Sequence, residues 1–224
     1  MKNHAKPRMC EALPLRETAL HAQKTHSFSW TTCALSTAKG MNFVMYYSTM
    51  YDAPVGRLLL TSDGDALSGV WIDGQKYFGG TPAAETTPDD DLRVFTDVKN
   101  WFDRYFAGER PAISELKLQP AGGEFRQAVW ALLCEIPYGT VTTYGDIARK
   151  VAAKLNRTGM SSQAVGGAVG HNPISIIIPC HRVVGASGSL TGYAAGIDTK
   201  IQLLTLEGID LSKLSRPKRE VGHS

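Results

Sequence analysis

Hydrophobic residues follow two different spacings between residues 41 and 107. The runs 43–50, 58–61 and 65–72 are short, rich in hydrophobic and β-branched residues and separated by glycine-containing turns, which predicts β-strands. From residue 90 to residue 107 the spacing changes to that of one face of an α-helix. We therefore expect a small sheet and one amphipathic helix, joined by a loop over 79–91 that is rich in Gly, Pro, Thr and Asp. The helix face consists of Leu92, Phe95, Val98, Phe102 and Phe106.

From residue 122 onward the pattern is mostly helical. A hydrophobic stripe from Phe125 to Ile136 predicts a helix that ends at the turn Pro137-Tyr138-Gly139. A final helix is expected to begin near Asp198 and to end at Glu207-Gly208.

Two shorter helices lie between these. Thr143 can cap a helix over 144–153, and Ser161 or Ser162 can cap another that ends at Gly170. Two short helices joined by a glycine-containing loop make a helix-turn-helix candidate.

The expected fold class is α/β (α+β) with two domains: a small N-terminal sheet-plus-helix domain and a mostly helical C-terminal domain with a helix-turn-helix. The segment 108–123 contains two prolines and a double glycine and is interpreted as the linker between them. Residues 1–40 have no sustained periodicity and are interpreted as a disordered extension. The complete division is 1–40 extension, 41–118 N-terminal domain, 122–208 C-terminal domain and 209–224 basic tail.

The distribution of charge and the spacing of the cysteines limit the classes of protein to which the chain can belong. Residues 41–120 carry seven Lys/Arg against twelve Asp/Glu, whereas residues 121–224 carry eleven against seven, so the final third is the part suited to a polyanion. No hydrophobic run reaches the roughly 18 residues that a membrane span requires. The cysteines form no C-x-x-C pair, which predicts free thiols in a reducing compartment and a cytoplasmic protein; they are Cys10, Cys33, Cys134 and Cys180.

One of these cysteines stands beside a histidine. The hydrophobic run 174–178 predicts a buried strand, and Pro179 would fix the backbone just before Cys180 and His181. A reactive thiol needs a base or a positive neighbour, and His181 can supply one around a turn or through a water molecule. The alternative is an inert buried cysteine, because free cysteine is among the most buried residue types.

The surrounding motifs resemble those of the O6-alkylguanine-DNA alkyltransferases, also called methylated-DNA–protein-cysteine methyltransferases. The resemblance is dense over 122–208, loose over the acidic domain from residue 41, and absent over 1–40. It implies an RNase H-like N-terminal domain and direct-reversal DNA repair in a single irreversible turnover without a cofactor. It rests on Phe125–Trp130, Ile136–Gly139, Thr143–Ala148, Ala164–Ala168, Asn172-Pro173, Pro179–Val184, Gly192-Tyr193 and Leu206–Gly208.

The resemblance also implies roles for individual residues. Cys180 would accept the alkyl group, after His181, oriented by Glu207, had taken its proton through a water molecule. Tyr144 matches the position that donates a proton to the departing base, and Asn172 the position that organises the active-site turn. The base pocket would include Tyr193 and Val183. For Tyr144, Asn172 and Tyr193 the alternatives are a surface aromatic residue, an ordinary loop asparagine and a packed core tyrosine.

Contacts to double-stranded DNA are expected from the second helix of the pair, which in this family lies in the minor groove. Gly166 and Gly167 would let the phosphate backbone approach closely, although tight helix–helix packing explains them equally well. Gln163 stands where many relatives insert an arginine into the base stack, so the electrostatic hold on DNA should be weaker. The set of DNA-contacting candidates is Gln163, Ala164, Gly166, Gly167 and Arg182, with a structural salt bridge as the favoured alternative for Arg182.

Three other readings compete with repair by a monomeric alkyltransferase. The chain could bind alkyl lesions without reacting, or it could be a helix-turn-helix regulator whose cysteine senses oxidation or alkylation. The range of adducts, including O4-alkylthymine, is left open by the sequence. The third hypothesis is a thiol hydrolase, which gives no reason for the DNA-binding helices. A zinc site in the extension is a separate hypothesis, but its spacing lacks the short pairs of ordinary zinc modules, so no metal is expected; its ligands would be Cys10, His21, His26 and Cys33.

Overall fold

The computed structural model describes residues 45–78 and 86–216. The predicted disordered extension, its four candidate zinc ligands and the end of the basic tail lie outside the described residues. Within the described residues, no helix is long and hydrophobic enough to cross a lipid bilayer.

A four-stranded mixed sheet forms the first part of the structure. Its strands are β1 (Tyr46–Ala53), β2 (Gly56–Ser62), β3 (Leu67–Ile72) and β4 (Thr86–Pro88). The order across the sheet is β3-β2-β1-β4, with β1/β2 and β2/β3 antiparallel and β1/β4 parallel. The first three strands confirm the three predicted strands, with β1 beginning at Tyr46 rather than at residue 43, but β4 lies inside the predicted loop over 79–91.

The amphipathic helix α1 (Arg93–Phe106) packs against this sheet. Phe95, Val98 and Phe102 of the predicted face are fully buried, and Trp101 and Tyr105 are also buried. The helix begins later than the pattern predicted, at Arg93, so Asp89, Asp90 and Asp91 precede its first turn.

The predicted linker over 108–123 is an ordered part of the sheet edge. Leu67 donates its backbone N–H to Lys117 O (2.9 Å), and Gln119 donates to Leu67 O (2.8 Å). Leu116, just before these contacts, is buried and follows a 3₁₀ turn over Ile113–Glu115. The segment is therefore attached to β3 through residues 117 and 119, and its interpretation as the linker between the two domains stays a prediction.

The second part of the structure consists of four helices: α2 (Glu124–Cys134), α3 (Tyr144–Lys154), α4 (Ser162–Gly170) and α5 (Ile197–Leu206). The predicted caps are present, since Thr143 Oγ1 accepts from Asp146 N and Ser161 Oγ accepts from Gln163 N. α2 lies behind the α3–α4 pair, where Trp130 is fully buried and donates from Nε1 to Ala168 O (2.9 Å). A two-residue parallel pair joins β5 (Thr142–Thr143) to β6 (Val183–Val184).

The hydrophobic run 174–178 is a turn, and the prediction of a strand there was wrong. Ile174 forms a single bridge to Val70 of β3, and the chain then reverses, with Ile178 N donating to Ile174 O (3.1 Å). The run is hydrophobic because it is buried between the two parts of the molecule. Ile174, Ile176, Ile177 and Ile178 are each at most 1% exposed.

Candidate active site

Asn172 organises the turn that leads to Cys180. Its Oδ1 accepts from Ile174 N (3.0 Å), while its Nδ2 donates to Ile178 O (2.8 Å) and to Ile174 O (3.2 Å). Ile176 has a φ of 70°, a conformation that is uncommon for a β-branched residue and that persists only where surrounding contacts hold it. The side chain of Asn172 supplies those contacts from within the turn.

Cys180 begins a 3₁₀ turn over Cys180–Arg182 and is only 6% exposed. Burial raises the pKa of its thiol, because a thiolate loses the stabilisation of water. Asn172 Nδ2 lies 3.1 Å from Sγ, and this contact, the charge of Lys200 and the amides of Cys180 and His181 act in the opposite direction. The site thus provides donors for a thiolate that forms when its proton is removed.

His181 is fully buried and is held by Glu207. Its Nε2 lies 2.8 Å from Glu207 Oε1, while its Nδ1 has no hydrogen-bond partner within the described part of the chain. Burial lowers the pKa of the His181 imidazole, so the ring is neutral at rest. A neutral ring that donates from Nε2 to the carboxylate has Nδ1 left as a proton acceptor.

Glu207 caps the end of α5 and pairs with Arg182 in a bidentate geometry. Arg182 Nε donates to Oε2 (2.8 Å), its NH2 group donates to Oε1 (2.9 Å), and its NH1 group donates to Ile136 O (2.7 Å). Burial alone would raise the pKa of Glu207, but the hydrogen bonds from His181 and Arg182 prevail and lower it to about 2. Glu207 is therefore a permanent carboxylate at neutral pH.

This geometry corrects the prediction that Arg182 contacts DNA. Arg182 is 6% exposed, and all three of its guanidinium nitrogens donate to groups inside the protein. The alternative of a structural salt bridge describes it correctly, because a bidentate arginine–carboxylate pair occupies the donors that a phosphate would need.

Two tyrosines lie on the other side of the thiol. Tyr144, at the start of α3, donates to Thr191 O (3.1 Å), and burial together with the nearby Cys180 raises its pKa to about 12. Tyr193 is buried, its ring meets that of His181 edge-on at 6.5 Å, and its hydroxyl has no partner among the described residues. Gly192 between Thr191 and Tyr193 has a φ of 76°, and a Cβ there would lie 2.6 Å from the Tyr144 hydroxyl. The loop can therefore approach Tyr144 only because residue 192 is glycine.

Lys200 is a site residue that sequence reasoning missed. It is fully buried on α5 and donates from Nζ to Val183 O (2.5 Å) and to Thr191 O (3.0 Å). Burial lowers its pKa to about 8, although the nearby Cys180 opposes this. Its spacing was the available signal, since Lys200 follows Ile197 by three residues and precedes Leu204 by four, on the inward face of the helix. Val183, predicted to line the base pocket, is fully buried and contributes its carbonyl to this lysine.

The helix α4 presents its DNA-contacting candidates on the surface. Gln163, Ala164 and Gly167 are exposed, and Gly166 is partly exposed. A Cβ added at Gly167 would meet no atom within 4 Å, and one at Gly166 would make only ordinary contacts of 3.9 Å with the Tyr144 ring. Tight helix packing, the alternative explanation for these glycines, is therefore not required.

The fold and the site together define a class of protein: a buried cysteine next to a buried imidazole that a carboxylate holds, beside a helix-turn-helix whose second helix has an exposed face of small residues. Comparison with known proteins identifies the family. Residues 124–209 match the DNA-binding domain of 6-O-methylguanine DNA methyltransferase, and residues 45–120 match the ribonuclease-like domain of the same family. The chain belongs to the 6-O-methylguanine DNA methyltransferase family.

Individual relatives agree with this assignment. A methylated-DNA–protein-cysteine methyltransferase of Haemophilus influenzae is 44% identical over 163 residues, which cover 73% of this chain and 87% of the relative. One from Methanosarcina acetivorans is 42% identical and is covered over 99% of its length. A crystal structure of Mycobacterium tuberculosis OGT in complex with DNA superimposes with a TM-score of 0.63 at 40% identity, over 76% of this chain and 95% of that one. The two-domain fold class predicted from the sequence is confirmed.

The activity of the chain follows from its family. It is a DNA-binding enzyme of direct-reversal repair, which removes an alkyl group from DNA by transferring it to one of its own cysteines.

Proposed function

We propose that Cys180 is the accepting cysteine and that O6-alkylguanine in double-stranded DNA is the substrate. The observation that carries this proposal is the continuous chain of contacts from the Cys180 turn through His181 to Glu207. Among the described cysteines, Cys134 has no comparable setting, since no described side chain donates a hydrogen bond to its sulfur, and burial together with the nearby Glu135 raises the pKa of its thiol to about 12.

The reaction begins with a proton transfer. The S–H bond of Cys180 breaks and an N–H bond forms at His181 Nδ1, through a water molecule, while Glu207 stabilises the resulting imidazolium. Asn172 Nδ2 and the charge of Lys200 stabilise the thiolate.

Alkyl transfer follows in line. The sulfur forms a bond to the alkyl carbon as the bond from that carbon to guanine O6 breaks, and Tyr144 supplies a proton to the departing base. A raised pKa keeps the Tyr144 hydroxyl protonated until then. The product is a thioether, which is no leaving group under these conditions, so each molecule reacts once.

The substrate base must leave the DNA stack to reach a thiol that is 6% exposed. Extrusion costs a few kcal/mol and less for a damaged base. The exposed face of α4 would lie in the minor groove, with Gly166 and Gly167 against the backbone and Gln163 filling the space of the extruded base. Tyr193 and Val183 would line the pocket, where the unpartnered Tyr193 hydroxyl is available to the base. A monomeric state and a cytoplasmic location complete the proposal.

The sequence alone also allowed a non-catalytic lesion-binding protein. A protein that only binds lesions does not need a buried imidazole whose Nδ1 has no partner among the described residues, so this feature beside a thiol favours catalysis. The two candidates differ in whether a covalent bond forms.

Intact-protein mass spectrometry after mixing with an O6-methylguanine oligonucleotide duplex tests the proposal. We expect a gain of one methylene equivalent, about 14 Da for replacement of S–H by S–CH3, mapped to Cys180. The Cys180→Ser variant should gain nothing, and the matched Cys134→Ser variant should react at the parental rate. An unmodified Cys180 together with intact lesions would contradict the proposal, and a parallel O4-methylthymine duplex defines the substrate range.

A further inference from the structure

The carboxylate of Glu207 receives more hydrogen bonds than its partnership with His181 requires. Oε1 accepts from His181, from Arg182 and from the hydroxyl of Tyr105, whose oxygen lies 2.8 Å away. Oε2 accepts from Arg182 Nε (2.8 Å) and from Gly139 N (3.3 Å). The proposed reaction does not use the Tyr105 contact.

Tyr105 comes from the other domain. It lies in the last turns of α1, is 1% exposed, and spans 102 positions of sequence to reach Glu207. Its ring is stacked on Trp101 (centroids 5.3 Å apart) and meets Phe106 edge-on (5.2 Å), so the position of the hydroxyl is determined by packing in the sheet domain. Burial and the negative Glu207 raise the pKa of Tyr105, so its hydroxyl always donates.

We propose that Tyr105 is a positioning residue through which the sheet domain limits the basicity of His181. The hydroxyl shares Oε1 with His181 Nε2, and a hydrogen bond to a carboxylate oxygen withdraws negative charge from it. A less negative Oε1 stabilises the His181 imidazolium less well. The thiolate–imidazolium pair is then less populated at rest, which keeps Cys180 as a thiol until a substrate is bound.

Several other ionisable groups also face this network, and they bear on its titration. Arg182 follows His181 in the 3₁₀ turn, Cys180 precedes it, Lys200 projects from α5, and Tyr193 and Tyr138 come from the loops after β6 and α2. Arg110 lies over the Tyr138 ring at 5.1 Å. All of these remain in place when only the Tyr105 hydroxyl is removed.

The test is the pH dependence of Cys180 alkylation by iodoacetamide in the full chain, followed by mass spectrometry of the Cys180 peptide. In Tyr105→Phe, we expect the acidic side of the profile to move about half a pH unit lower, which is roughly threefold faster reaction at pH 7, with the alkaline plateau unchanged. Tyr51→Phe is the matched control, because the Tyr51 hydroxyl, like that of Tyr105, donates to a carboxylate. Its acceptor is Asp103 Oδ1 (2.8 Å), which lies away from the site. Its profile should match the parent.

A merely structural role would lower the whole profile or leave it unchanged, and a profile that superimposes on the parent or moves to higher pH overturns the proposal. Should Tyr105→Phe fold poorly, 3-fluorotyrosine at position 105 keeps the ring and donates more strongly, so the profile must move the opposite way. The inference rests on the proposed proton transfer, but iodoacetamide needs no DNA. A shifted profile in a protein that fails to repair DNA would therefore refute the proposed function and leave this inference intact.

Discussion

The sheet domain and the helical domain differ in their ion pairs, because among the described residues the buried pairs lie in the helical domain. In the sheet domain the ion pairs lie on the surface, as for Lys117 and Asp65, whose side chains are 72% and 81% exposed. In the helical domain the central ion pairs are buried, and the side chains of His181 and Glu207 are 0% exposed. Arg182 and Lys200 are buried beside them.

This difference distinguishes exposed ion pairs on the protein surface from buried ion pairs that belong to the candidate active site. Exposed pairs add little to stability because water screens them, whereas buried charges lose hydration and are tolerated only when every donor and acceptor is paired. A cluster of buried ionisable groups with shifted pKa values is a common property of active sites. The comparison therefore favours the helical domain as the place of the chemistry, with the proposed contribution of Tyr105 coming from the sheet domain.

Removing one buried charge should have the largest effect. Arg182→Met leaves Glu207 without its bidentate partner, and we expect the free energy of unfolding to fall by about 3–5 kcal/mol. Lys117→Gln breaks an exposed pair, and we expect a change of less than about 1 kcal/mol. Urea unfolding at pH 7 measures both. Equal small losses would show that burial does not distinguish the two domains.

Acid should destabilise the protein through the buried histidine first. Burial lowers the pKa of His181 from 6.5, so the unfolded chain binds a proton that the folded chain does not, and stability falls as pH decreases below about 6.5. The pKa of Glu207, lowered from 4.5 to about 2, adds a second loss between those two values. Urea unfolding should show the free energy of unfolding falling between pH 7 and pH 5. The loss should disappear in His181→Asn and persist in the exposed control Asp65→Asn, and a slope retained in His181→Asn would contradict this assignment.

Substitution of a glycine on α4 should give the smallest change in stability. We expect it to raise the free energy of unfolding and to weaken DNA binding. Gly167→Ala adds a methyl group that meets no atom within 4 Å and favours the helix, so we expect a gain of about 0.5–1 kcal/mol in unfolding free energy. If the exposed face of α4 lies against DNA, the same methyl group weakens duplex binding, which fluorescence anisotropy measures. Gly123→Ala, at the start of α2 with equally open space, should leave binding unchanged. Unaltered binding by Gly167→Ala would remove this residue from the interface.

Local signals in the sequence were sufficient for most elements. Thr143 and Ser161 cap their helices by hydrogen bonds within three residues, and such short-range contacts can be read directly from the order of residues. β4 and the turn over 174–178 were missed because no periodic pattern in the sequence relates the residues that their hydrogen bonds join. β4 pairs with β1 some 40 residues earlier, and the turn depends on the side chain of Asn172.

The site was predicted in its chemistry but only partly in its geometry. The motifs around Cys180, His181 and Glu207 are contiguous enough to be recognised from the order of residues. Only the interatomic distances show that Arg182 pairs with Glu207 rather than with DNA, since an arginine next to Cys180 and His181 in the sequence is compatible with either partner. Lys200 and Tyr105 carry no motif at all.

The amino-acid sequence by itself determined the two-part fold, the positions of the helix caps and the family, and it led to the proposal of Cys180 and His181 as the reactive pair. Periodicity, capping and short motifs involve residues that are only a few positions apart, so they can be recognised from the sequence. Only the tertiary structure decided which groups share the carboxylate of Glu207. Tyr105 and Glu207 meet across 102 positions because two independently patterned hydrophobic faces pack together, and packing of that kind, rather than any local preference, sets the electrostatic environment of the thiol.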